Sequence, residues 1–146
     1  MSGINWNRWF LGGLVAAVVI WLIEGGASML YMDQMRAALT AHNLSMEMTG
    51  GMVLMSVVLS LLVGLALIFF YAAARPRFGP GPRTAFIVAF GMWAGGYLPA
   101  LVGYDMIGLY PRSMVVMWGV IGLVELIIAA LLGGWVYREG GAAPAL

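Results

Sequence analysis

Four long apolar runs separated by short polar or turn-forming connections dominate the pattern along the chain. They cover roughly residues 9–32, 51–74, 84–104 and 112–137. Each is close to the ~20 residues that a helix of 1.5 Å rise needs to cross a hydrocarbon core of about 30 Å. The pattern predicts an all-α membrane protein, a four-transmembrane-helix antiparallel bundle forming one domain over residues 1–139, with a flexible tail at 140–146. A secretory-signal reading of the first run, with Gly25 and Ala27 at cleavage spacing, is opposed by apolar character that continues through Met29, Leu30 and Tyr31.

The connections carry their own signals. After the first run, Asp33 and Arg36 at i,i+3 can carry the helix outward until Asn43, a residue suited to a C-terminal cap. Ser45 and Glu47 suit the start of the second helix. The second connection, RPRFGPGPR, is stiffened by Pro76, Pro80 and Pro82 and turned by Gly79 and Gly81. The Met52/Met55 and Met114/Met117 openings of the second and fourth helices, with Tyr71/Arg75 and Tyr137/Arg138 at their ends, suggest two similar hairpins side by side.

Composition sharpens this picture. The chain is 63% hydrophobic and 9% charged, against about 45–50% and 25% for soluble domains. A net charge of +1 without a basic run gives no footprint for nucleic acid, and zero cysteines remove disulfides and thiolate metal sites. Arg8, Arg75, Arg77, Arg83 and Arg138 fall on the side of the termini and Arg36 and Arg112 on the other, so the positive-inside rule predicts cytoplasmic termini.

In lipid, helices meet along small residues. The stripes are Gly13, Ala17, Glu24 and Ser28 in the first helix, Ser56, Ser60 and Gly64 in the second, Gly91, Gly95, Pro99 and Gly103 in the third, and Gly122, Glu125, Ala129 and Gly133 in the fourth. All four are expected to face inward, with Pro99 bending the third helix. Glu24 and Glu125 lie on these stripes, and an ionisable group at membrane depth is a functional candidate. Burial of a carboxyl favours its protonated form, which donates one hydrogen bond and accepts another. Glu24, Ser28, Ser56, Ser60, Tyr97 and Glu125 are the expected lining of a polar pocket in the outer half of the bundle. Taking each apolar run as spanning the same slab places Glu125 near the midplane and Glu24 about 7 Å further out.

Ten of the 12 methionines fall on the outer side. Met29, Met32 and Met35, Met52 and Met55, and Met114 and Met117 repeat at i,i+3, and thioethers are soft ligands for Cu(I), to which His42 could add a nitrogen. Methionine is equally a filler of irregular apolar packing. No cofactor motif is present. The lone histidine lies away from the serines, so no nucleophile and base come together and an enzyme is not expected.

With its YAAARPRFGPGPRTA loop and its closing GLVE…YRE pattern, the chain resembles a group of small bacterial four-helix integral membrane proteins of uncharacterised function. That resemblance implies the same architecture and a bacterial inner membrane, and it carries no activity or site. Two functions remain. One is a non-catalytic scaffold or accessory subunit, packed against lipid and against a second copy or another membrane protein. The other is a small proton-coupled or Cu(I)-handling transport or binding protein using the two carboxylates and the outer methionines.

Overall fold

The computed structural model describes residues 3–138; the tail expected at 140–146 lies outside the described residues. Four helices cross the membrane: α1, Trp6–Ala41; α2, Gly50–Phe78; α3, Pro82–Met106; and α4, Arg112–Val136. The chain is an integral membrane protein built as an antiparallel all-α bundle. Below, the inner end is the end that carries the termini and the far end is opposite it.

Local chemistry sets the helix ends. The Asn5 side chain accepts the Arg8 N–H at 3.2 Å and starts α1, and Thr49 does the same for Met52 at 3.3 Å at the start of α2. α1 continues nine residues past the apolar run, and His42 and Asn43 close it with N–H bonds to Leu39 and Thr40 carbonyls. Arg75 and Arg77 favour the α2 C-terminus through the helix dipole. Gly79 and Gly81, with φ of 83° and 113°, make the three-residue turn that Pro82 converts into α3.

Pro99 lacks an N–H and would clash with the turn before it. α3 accommodates it through a π-helical turn at Trp93–Tyr97, in which the Leu98 N–H reaches back five residues to the Trp93 carbonyl.

The helices meet most closely at the inner half. A Cβ on Gly64 would lie 2.5 Å from both the Ala17 nitrogen and the Gly13 oxygen, so α1 and α2 touch backbone to backbone. Gly12 and Gly133 bring α1 and α4 together in the same way, with a Cβ on Gly133 placed 2.7 Å from the Gly12 oxygen and 3.0 Å from the Ala16 Cβ. Leu67, Ile68, Ala89, Leu126, Ala129 and Ala130 fill the core between them. At the inner end the Tyr71 hydroxyl accepts the Gly81 N–H at 3.0 Å, and its ring meets Tyr137 edge-on, beneath the Arg75 guanidinium.

The third stripe departs from expectation. Gly91, Gly95, Pro99 and Gly103 are exposed, and a Cβ on any of the three glycines would have nothing within 4 Å. α3 meets the bundle through Thr84, Ala85, Val88 and Ala89 and then through Trp93, Tyr97 and Leu101. The Trp93 indole donates to the Gly119 carbonyl at 2.9 Å, and the Tyr97 ring fills the notch left by Gly122. Aromatic rings matched to glycines on α4 therefore set the rotation of α3 and leave its own glycines outside. Beyond Met92, α3 contacts α4 and no longer contacts α2, while Gly50 to Leu59 of α2 is exposed throughout. A cleft between α2 and α3 results.

Candidate functional site

The interface of α1 and α4 fixes the position of the two membrane carboxylates. From the level where Ala16 faces Gly133, eight residues along each helix, about 12 Å at 1.5 Å per residue, lead to Glu24 and to Glu125. The two carboxyl groups meet there at hydrogen-bonding range. Glu125 is buried, at 7% exposure, and Glu24 is half-buried. The 7 Å offset expected from the apolar runs is absent, because glycine contacts set the register of α1 against α4 whereas the edges of the apolar runs do not.

Tyr31, seven residues beyond Glu24 and therefore on the same face of α1, donates its hydroxyl to the Glu24 carboxyl. Tyr97 approaches from α3, its ring seated in the Gly122 notch within electrostatic reach of both acids. Neither acid has an arginine partner among the described residues; the ion pairs there are Asp33–Arg36 and Asp105–Arg112. A carboxyl group that carries its proton both donates and accepts, so the two side chains are suited to hydrogen-bonding one another. Oε2 of Glu125 and Nε1 of Trp118 are buried without hydrogen-bond partners among the described residues.

Aromatic rings close the far side of the site. Tyr31 meets Trp118 edge-on at 5.4 Å, Trp118 meets Tyr110 at 4.8 Å, and Tyr110 meets Tyr104 at 5.6 Å. Burial first, and the neighbouring Tyr104 second, push the Tyr110 phenol above its ordinary pKa, so this ring is neutral at physiological pH. The His42 ring bonds the Gly108 carbonyl at 3.2 Å and ties the far end of α1 to the α3–α4 connection above the rings.

The serines take other positions. Ser28 donates to the Gly25 carbonyl of its own helix at 2.7 Å. Ser56 is exposed, donates to Val53 at 2.7 Å and accepts the Trp21 indole at 3.1 Å. Ser60 is buried on the face of α2 that carries Gly64. Serine bonds readily to the carbonyl a turn earlier, which removes the need to face a shared pocket.

No protein-family model, curated protein or solved structure matches the chain.

The methionines occupy different environments. Met114 is buried, Met32, Met35 and Met117 are half-buried, and Met29, Met52 and Met55 are exposed, Met29 at 85%. Among the described residues no group of three or more histidine, aspartate or glutamate side chains is placed to hold a metal ion. The residues that pattern reasoning missed are Tyr31 and Trp118. Their signal was available in the spacing, since Glu24/Tyr31 and Trp118/Glu125 are both seven apart and each pair shares a helix face.

Proposed function

We propose that the protein is a non-catalytic scaffold or accessory subunit of a bacterial inner membrane, with cytoplasmic termini, that receives a partner transmembrane helix in the cleft between α2 and α3. One observation carries this reading: Gly91 and Gly95 of α3 line the space beside Phe70, Ala73 and Ala74 of α2, with nothing within 4 Å of a Cβ on either. Small residues at spacing four are what lets helices approach in lipid, where apolar surface alone gives no preference for protein over acyl chains. The bundle uses such contacts at Gly12, Gly13, Gly64 and Gly133 and leaves this set unused. Gly95→Leu is expected to leave thermal stability within about 0.5 kcal/mol of wild type, since it enters open space, while removing the higher-mass species that cross-linking of the wild type in native membranes is expected to give. Cross-linked species that persist at wild-type level in the variant would defeat the proposal.

A second reading, proton-coupled transport or binding, is favoured by the contact between Glu24 and Glu125. The rings of Tyr31, Trp118 and Tyr110 pack against one another on the Tyr31 side of the acids, and such a role would have to pass them. The Cu(I) version of this reading rests on methionine spacing alone.

A further inference from the structure

A different face of α3 forms a groove of about 450 Å³ with α4. Its lining is aliphatic, with Leu98, Leu101 and Val102 from one helix and Val116, Val120 and Val124 from the other. At the far end lies a charged mouth, where Arg112 donates from Nε and Nη2 to the Asp105 carboxylate at 3.3 and 3.0 Å. We infer that this groove binds one acyl chain of a zwitterionic phospholipid with a primary ammonium headgroup, whose phosphate is held by Arg112 and whose ammonium is held by Asp105.

Length, lining and charge support this occupant together. From Arg112 to Val124 is 124 − 112 = 12 residues, about 18 Å of helix, against about 15 Å for one leaflet of a 30 Å hydrocarbon core. The groove thus begins at the level of headgroups and ends near the bilayer centre. Its floor is closed by Gly119, whose carbonyl is occupied by the Trp93 indole, so the chain meets no unsatisfied backbone group there. The Arg112 side chain is 82% exposed, and its Nη1 takes no part in the bonds to Asp105. Guanidinium groups bind phosphate oxygens through charge-assisted hydrogen bonds. The carboxylate beside it repels a second negative charge and accepts hydrogen bonds from an ammonium. The mouth as a whole is neutral and carries one charge of each sign, which complements phosphoethanolamine better than phosphoglycerol.

The test is titration of delipidated full-length protein in detergent with dioleoyl phosphatidylethanolamine or dioleoyl phosphatidylglycerol, read by native mass spectrometry. Wild type is expected to retain one phosphatidylethanolamine per chain, about tenfold more tightly than phosphatidylglycerol. Arg112→Gln should weaken phosphatidylethanolamine roughly tenfold, as expected for loss of hydrogen bonds to a charged group. That variant also opens the ion pair between α3 and α4. Val120→Trp is therefore the companion: it fills the groove from an exposed wall position, and should lose both lipids while circular dichroism and the thermal midpoint stay at wild-type values. Wild-type phosphatidylethanolamine binding in Val120→Trp, unchanged binding in Arg112→Gln, or equal affinity of the wild type for the two lipids would each overturn the assignment.

Discussion

Gly64→Ala is expected to cost about 3 kcal/mol, and Gly64→Leu more, measured as loss of helical signal on titration from mild detergent into SDS. A single methyl at Gly64 must occupy space 2.5 Å from the Ala17 nitrogen and 2.5 Å from the Gly13 oxygen. Both are backbone atoms, so no side chain can swing aside. Overpacking of a tight interior typically costs 1–3 kcal/mol, and here relief requires α1 and α2 to separate along the seam that also seats Trp9 on the Leu65 carbonyl. An alanine variant that unfolds with wild type would remove this contact from the account. The comparison with Gly95→Leu is informative because that substitution is larger and meets nothing.

Glu125→Ala is expected to lose roughly 2 kcal/mol, while Glu125→Gln stays within about 1 kcal/mol of wild type. Alanine leaves a void at a buried position and takes away the partner of Glu24. Glutamine keeps the shape and can both donate to Glu24 and accept from it, as a protonated carboxyl does. Equal losses in the two variants would contradict a hydrogen-bonded pair, since glutamine keeps a donor and an acceptor at the same place. The same glutamine variant separates the two functional readings in vesicles. A scaffold leaves proton and cation flux unchanged by the substitution, and a proton-coupled transporter loses its flux.

Much of this structure was readable from the residues. The four spans follow from run length and the burial of Glu125 from its small-residue neighbours, whereas the connection expected from Arg75 is shorter, because α2 runs on through Pro76 to Phe78 and leaves only Gly79, Pro80 and Gly81 to turn. The third stripe departs from its expected inward face because spacing identifies a face of small residues without saying what the face meets. Trp93 and Tyr97 fit Gly119 and Gly122, and this rotates Gly91, Gly95 and Gly103 outward. The level of Glu24 differs from the one its apolar run implies for a related reason. Hydropathy marks where a helix enters lipid only to within a turn or so, whereas the contact of Ala16 with Gly133 fixes axial register to a fraction of one. Ser28 and Ser56 look like pocket residues in the sequence, yet their bonds to carbonyls of their own helices satisfy them locally. Tyr31 and Trp118 passed as members of apolar runs because aromatic residues are ordinary there; only the repeated spacing of seven distinguishes them.

Direct contact between the Glu24 and Glu125 carboxyls is the feature on which the site depends. A double-mutant cycle of Glu24→Ala, Glu125→Ala and the double variant, with unfolding free energies measured in one detergent, tests it most directly. Residues in contact couple by about 0.5–3 kcal/mol, and independent sites add to within roughly 0.3–0.5 kcal/mol. The structure leads to a double variant that loses at least 1 kcal/mol less than the two single losses together. Losses that add to within that limit for independent sites would contradict it.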